Sequence, residues 1–363
     1  MAGIDRAGIE AQLKTYIDPY TEEDLVTSKS IKSIEIDGSS VSVKIVLGYP
    51  AAGIKEAMVG VLKEKITALP GVSSVFVDID FKIISHTVQK NLKPMPGVKN
   101  IIAVASGKGG VGKSTTSVNL ALALSTEGAR VGLLDADIYG PSIPQMFGLS
   151  GKPDSRDGKS IEPKVAYGIQ CMSVGFMVDE ETPLILRGPM VVGALQQLLN
   201  ETNWDNLDYL IIDLPPGTGD IQLTLSQQVP VSGAVIVTTP QDIALLDAQK
   251  ALKMFERVEI PVIGVIENMS IHICSECGHE ESIFGKGGGA FMAEKYSVDL
   301  LGALPLDISI RENADSGNPS VSADPDGRVA AIYREIARKV SAKLALKSKD
   351  FSGLFPNIVI ENN

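Results

Sequence analysis

The sequence predicts an α/β protein with a mostly parallel sheet and helices on both faces, preceded by a small α+β domain. Three observations predict it. From Ile101 onward, short and almost continuously apolar runs alternate with helical stretches; strands apolar on both faces belong to a parallel sheet covered by helices. Before residue 90, apolar and polar residues alternate with the two-residue rhythm of half-buried strands. Between the two regions, residues 91–100 (NLKPMPGVKN) gather two prolines and a glycine, the composition of a linker.

The first domain, residues 1–90, reads as a helix at 9–17, strands at 31–36 and 41–47, and a turn at 48–53. A helix at 54–69 and a strand at 74–84 complete an α-β-β-α-β order, a two-layer module. No chemical motif falls within it, and His86, just past the last strand, reads as a surface residue. A linker covers 91–99. In the second domain, residues 100–346, strands are expected at 101–105, 131–134, 209–212, 234–237, 262–266 and 300–303. The helices between them are expected at 114–126, 191–199, 243–257 and 329–346, and residues 347–363 form a tail.

The composition narrows the function. A formal charge of −11 argues against nucleic-acid or anionic-membrane partners, which demand basic surface. No run of apolar residues is long enough to span a membrane, and the amino terminus lacks a secretory pattern, so a cytoplasmic protein is expected. Three cysteines, Cys171, Cys274 and Cys277, are too few and odd in number for a disulfide framework.

Residues 107–114, GKGGVGKS, satisfy the phosphate-loop pattern G-x-x-x-x-G-K-S/T between an apolar strand and a helix. Glycines let the backbone wrap phosphate oxygens with its N–H groups, and the following helix adds the positive end of its dipole. Lys113 supplies charge to the β- and γ-phosphates, and the Ser114 hydroxyl can ligate Mg²⁺. Two apolar strands end in carboxylates at the edge where open α/β sheets bind ligands. One is LLDAD at 133–137, whose Asp137 is a candidate to orient water; the other is YLIID at 209–213, whose Asp213 can hold a water of the Mg²⁺ shell.

Cys274 and Cys277 form a C-x-x-C just after a strand, a spacing that lets two thiolates hold one metal or one edge of a cluster. A four-thiolate site needs twice as many ligands, which two copies of the chain would supply. His272 and His279 could instead complete a zinc site within one chain, and an inert loop pair remains open. Cys171, after a β-like stretch, reads as a buried small hydrophobe.

GKGGVGKS resembles the phosphate loop of the MinD/ParA/nitrogenase-iron-protein superfamily, a P-loop NTPase group in which the lysine at position 108 reaches the partner's nucleotide across a dimer interface. Residues 100–345 resemble its Mrp/ApbC branch, the iron–sulfur cluster carrier ATPases. The matching stretches are GKGGVGKS, LLDADIYGPSIP, LRGPMV (186–191), IIDLPPGTGD, ENMS with its C-x-x-C, and IFGKGGG. The resemblance implies ATP and Mg²⁺ as cofactors, a homodimer, and a bridging 4Fe–4S cluster on Cys274 and Cys277. The cluster is received from an assembly scaffold or built in place, then handed to apo iron–sulfur proteins. Nucleotide would be held by Gly107, Lys108, Gly109, Gly110, Val111, Gly112, Lys113, Ser114 and Thr115, with Asn268, Pro305 and Asp307 beside the adenine. Lys113, Lys108, Asp137 and Asp213 would carry hydrolysis. The first domain resembles the small MIP18-type domain often fused to this branch. Some relatives place a cysteine near the turn that here reads YPAAG (49–53), so docking or regulation is the expectation for it.

Three rivals stand beside this reading. A positioning ATPase of the MinD/ParA kind would use the basic helix 328–347 as a membrane or DNA anchor but leaves the cysteine pair without purpose. A nucleotide-driven electron donor would space its cluster cysteines far apart. A zinc-stabilised ATPase scaffold would need no cluster transfer.

Overall fold

The computed structural model describes residues 4–89, 92–177, 188–274 and 276–347. Residues 186 and 187 of LRGPMV, and the expected tail from residue 348, lie outside that set.

The first domain is built as expected, with shifted ends. Helix α1 (Arg6–Lys14) starts before Ile9 because the Asp5 carboxylate accepts from the Gly8 N–H at 2.8 Å, an N-cap that fixes the first turn. Strands β1 (Ile31–Asp37) and β2 (Ser40–Leu47) form an antiparallel hairpin, and helix α2 (Lys55–Thr67) crosses over to β3 (Ser74–Phe81), parallel to β2. Val41, Val43, Ile45 and Leu47 face inward at every second position of β2, onto Ile9 and Leu13 of α1 and Leu62 and Ile66 of α2.

The second domain opens with β4 (Val98–Ala105), which begins inside the segment read as linker. Helix α3 (Lys113–Thr126) follows the phosphate loop and leads to β5 (Val131–Asp135) and the short α4 (Ile143–Met146). Next comes a hairpin that periodicity did not disclose, β6 (Lys164–Ala166) and β7 (Ile169–Ser173). Its turn, Tyr167–Gly168, has positive φ at both residues (50° and 77°), the two-residue hairpin geometry, in a sequence without the usual Asn-Gly signal. The chain continues through α5 (Gly188–Glu201), β8 (Leu207–Asp213), α6 (Asp220–Gln228), β9 (Gly233–Thr238), α7 (Asp242–Arg257) and β10 (Val262–Glu267). A small hairpin, β11 (His272–Ile273) and β12 (Glu280–Glu281), carries the cysteine pair. Then follow α8 (Gly288–Tyr296), β13 (Asp299–Ala303), α9 (Ile308–Asp315), α10 (Ser320–Ala323) and α11 (Arg328–Ala345).

The central sheet runs β13-β10-β9-β4-β8-β5-β7-β6, parallel except for the β6–β7 edge. Every residue of β5, β8 and β9 is buried, as a parallel sheet with both faces covered requires. Burial of each large aliphatic there contributes roughly 1.5–3 kcal/mol. Because the strands are parallel, the loops after β4, β5, β8 and β10 all emerge at one edge, and that edge carries the site.

The two domains are packed together. Ala342 of α11 belongs to the first domain's core, and the Arg338 guanidinium donates to Glu127 at the end of α3 and to the Tyr20 hydroxyl. Glu127 also accepts from the Gly53 N–H at 2.9 Å. The apolar face of α11, Ala330, Tyr333, Ala337, Val340 and Leu344, is buried against the protein, which leaves the basic helix no apolar face for a membrane. His86, expected at the surface, is buried. Its N–H and Nδ1 both meet the Asn100 side-chain oxygen, at 3.1 and 2.9 Å, where Asn100 lies buried within β4. A polar residue inside that apolar strand needs a polar partner, and His86 provides it.

Candidate functional site

The phosphate loop leaves β4 at the carboxyl edge of the sheet and enters α3. Gly110 and Gly112 take φ of 80° and 83°, left-handed values that a side chain resists. A Cβ on Gly107 would fall 2.1 Å from the Asp247 carbonyl carbon, so the loop passes directly against α7. The loop borders a cleft of about 220 Å³, lined in part by Gly109, Lys113, Ser114, Thr115, Asp137 and Pro216.

Asp213 is the hub of that cleft. Fully buried at the end of β8, it meets the Lys113 ammonium at 2.8 Å and accepts from the Ser114 hydroxyl at 2.6 Å through Oδ2. Its Oδ1 accepts from the Ser117 hydroxyl at 2.6 Å. One ammonium and two hydroxyl donors thus converge on this buried carboxylate. The glycine turn beyond it is tied to the start of the loop, since the Gly217 N–H donates to the Ser106 carbonyl at 2.9 Å.

Asp137 is half-buried at the cleft, and burial raises its carboxyl above the ordinary range while the Lys113 charge pulls it down. Its own N–H donates to Asp135 Oδ1 at 3.1 Å. Asp135 is fully buried; its Oδ2 accepts from the Ile143 N–H at 3.2 Å and the Ser173 hydroxyl at 3.1 Å. Burial, then the neighbouring Asp213 charge, pushes its carboxyl up to about 7. Asp135 therefore pins both ends of loop 136–143, the segment that presents Asp137.

The cysteine pair lies on the hairpin after β10, at the same edge. Cys277 is exposed and Cys274 half-buried. The Cys274 N–H donates to the His279 carbonyl at 3.0 Å, and the Gly278 N–H returns to the Cys274 carbonyl at 2.8 Å. Backbone N–H groups of Cys277 and Glu276, with the Cys277 side chain, lower the Cys274 thiol below its ordinary value. A thiolate is what a metal or cluster requires. Among the described residues, no three His, Cys, Asp or Glu side chains converge as a metal site. His272 Nδ1 faces the Leu306 carbonyl at 3.2 Å, and the one-chain zinc set is not assembled among the described residues. Cys171 is buried in β7, its thiol pushed far up by burial and then by Asp135.

The remaining expected residues divide. Val111 is buried beneath the loop, and its carbonyl accepts from Asn268 Nδ2 at 2.9 Å. Asn268 thus touches the phosphate loop itself. Pro305 is buried in the segment after β13, and the Asp307 carboxylate caps α9 by accepting from the Ser309 N–H at 2.8 Å. Lys108 is half-buried on the loop and does not line its own cleft. Sequence reasoning missed Ser117 and the role of Asp135. Ser117 lies one helical turn beyond Lys113 on the same face of α3, a spacing that could have signalled it. Asp135 precedes Asp137 by two residues along an extended chain, and only the turn at 136–143 shows that it holds the loop.

Residues 97–341 match the family described as the NUBPL iron-transfer P-loop NTPase, and residues 6–79 match one described as an iron-sulfur cluster assembly protein. An iron-sulfur cluster carrier protein of Haemophilus influenzae is 50% identical over 337 residues, covering 93% of this chain and 91% of the relative. One from Pseudomonas fragi is 58% identical over 278 residues, covering 76% and 97%. Among solved structures, a nucleotide-binding protein from Archaeoglobus fulgidus in complex with ADP is 38% identical, with a TM-score of 0.54 over 61% of this chain and 88% of that one.

Proposed function

The chain belongs to the iron–sulfur cluster carrier family of P-loop NTPases, and from that premise we propose that it hydrolyses MgATP as a cytoplasmic homodimer. In this reading it holds a 4Fe–4S cluster on four thiolates, Cys274 and Cys277 from each copy, and hands it to apo iron–sulfur proteins. One observation carries the proposal: both thiols occupy a single turn at the sheet edge that bears the phosphate loop, with no third ligand converging among the described residues. Two ligands per chain leave a cluster half-held, and a second copy completes it.

The cleft fits magnesium. Ser114 and Asp213 present hard oxygens 2.6 Å apart, and the charge of the buried carboxylate suits a divalent cation. Ser114 would ligate the ion and Asp213 would hold one of its waters. When bound, Mg²⁺ supplies charge neutralisation at the β- and γ-phosphates. The other steps belong to the chain. Lys113, resting on Asp213, turns its ammonium toward the phosphates as an ion-pair partner, while loop N–H groups from Gly109 to Thr115 bind their oxygens. Lys108 adds charge to the partner's nucleotide, consistent with its position outside its own cleft. Asp137, its carboxyl raised by burial, orients the attacking water and accepts its proton. Asn268 and the 305–307 turn border the adenine. Loss of the γ-phosphate relaxes the interface, and the shared cluster is held less tightly.

Anaerobic reconstitution with iron and sulfide tests this, followed by native mass measurement and metal and sulfide counts. The expected result is one four-iron cluster per dimer, lost in Cys274→Ser and Cys277→Ser. A full complement on a strict monomer would overturn the shared site.

A further inference from the structure

The nucleotide cleft and the cysteine hairpin are joined inside a single chain. Asn268 directly follows β10 and donates its side-chain amide to the Val111 carbonyl of the phosphate loop. The approach is close: a Cβ on Gly112 would come within 2.1 Å of Asn268 Nδ2. Immediately after it, Met269 adopts φ of 56°, a left-handed bend in a residue other than glycine, fixed by its N–H to Asn268 Oδ1 at 2.9 Å. The chain then runs as a two-rung ladder beside the segment after β13. The Ser270 N–H donates to the Leu304 carbonyl at 2.9 Å, and the Leu306 N–H donates to the Ile271 carbonyl at 2.8 Å. His272 closes the ladder by pairing with Leu306 and setting Nδ1 3.2 Å from its carbonyl. Two residues later comes Cys274.

Thus the Val111 carbonyl, the Asn268 side chain, the 270–272 ladder and Cys274 lie along one connected path of hydrogen bonds and chain. Its lateral support, residues 304–306, leads directly to Asp307. The phosphate loop and the 305–307 turn therefore both make contact with the base of the hairpin. The tautomer with hydrogen on Nδ1 makes His272 a donor to the Leu306 carbonyl, a side-chain tie between the hairpin's base and the 304–306 segment.

We propose that His272 is a positioning residue that transmits nucleotide occupancy from the 304–307 segment and Asn268 to the Cys274 turn of the same chain. The dimer interface is then not the only route between ATP and cluster. This rests on the reading that nucleotide controls cluster holding, and it adds a route within the protomer.

The test uses full-length protein loaded anaerobically with iron and sulfide, with transfer to an apo-ferredoxin acceptor followed by circular dichroism with and without ATP. His272→Phe keeps a ring and loses the donor; His272→Asn restores an N–H near the Nδ1 position. Expected for His272→Phe are cluster content and ATP turnover near wild type, with the ATP-dependent change in transfer rate reduced about fivefold or more. His272→Asn recovers most of the response. A His272→Phe response equal to wild type overturns the proposal, as does an equal loss of transfer with and without ATP, which marks a merely structural residue. If wild-type transfer is itself indifferent to ATP, the functional reading has failed and this inference falls with it. Amide exchange in the wild type, without any cluster, gives a second readout that needs no variant. Binding of a non-hydrolysable ATP analogue should change exchange at Leu306 and Cys274, and unchanged exchange at both overturns the route.

Discussion

The Arg338 guanidinium lies 2.6 Å from the Glu127 carboxylate, in a pair whose acid is fully buried and whose base is 12% exposed. Glu127 follows directly on the helix that starts at Lys113, and its second oxygen accepts from Gly53 in the first domain. This contact seats the amino-terminal domain on the far end of the phosphate-loop helix. Arg338→Ala leaves Glu127 buried beside one N–H, and removing one partner of such a pair costs about 3–5 kcal/mol. Denaturant unfolding should register a loss of that size, and limited proteolysis should accelerate between residues 82 and 97. Arg338→Ala with unchanged stability and unchanged cleavage would show that the pair does not hold the domains together.

Lys113→Ala removes the ammonium on Asp213 and, in the proposed mechanism, the charge that meets the phosphates. ATP turnover should drop by roughly 100-fold or more, since a lost preorganised charge at a developing oxyanion costs on that order. Turnover in a coupled phosphate-release assay within a few-fold of wild type would remove Lys113 from the mechanism.

Asp135 sets a pH dependence of stability. Its carboxyl rises from an ordinary 3.8 to about 7 in the fold, so the folded chain holds this proton more tightly than the unfolded one. Below the ordinary value both states are protonated and the group is neutral to folding. As pH rises toward 7 the fold must either keep the proton or carry a buried charge, so this group's contribution to stability declines across that window and stays low above it. In Asp135→Asn the titration is gone, and the denaturation midpoint should vary less between pH 4 and pH 7 than in the wild type. Parallel pH profiles for the two proteins would refute the assignment.

The three thiols should separate by reactivity. Cys274 has a thiol lowered by backbone N–H groups, Cys277 is exposed, and Cys171 is buried with its thiol raised. Iodoacetamide at neutral pH, applied to protein without iron and followed by peptide mass analysis, should modify Cys274 fastest and Cys171 only after denaturation. Native-state labelling of Cys171 at a rate matching Cys277 would contradict the buried placement.

Much of the site is legible in the sequence because it is built from local patterns. A phosphate loop needs its glycines, lysine and hydroxyl in consecutive positions, so GKGGVGKS announces itself, and six of the central strands are visible as apolar runs. The β6–β7 hairpin escaped because its strands are short and its turn is Tyr-Gly. Ser117, at 2.6 Å from Asp213, reads as an ordinary helix residue until a strand ninety-six positions away arrives beside it.

What the sequence determined by itself is the chemistry available: a nucleotide-binding loop, two carboxylates at strand ends, a cysteine pair, and the parallel sheet that brings their loops to one edge. The tertiary structure decided which groups act on one another. It placed Lys113 and two hydroxyls on Asp213, made Asp135 the anchor of the Asp137 loop, buried His86 against Asn100, and set Asn268 against the phosphate loop. The physical reason is range. Backbone geometry and hydrophobic periodicity act over a few residues and can be read along the chain, whereas a buried polar group must find its partner across the fold, and sequence spacing carries no record of that distance.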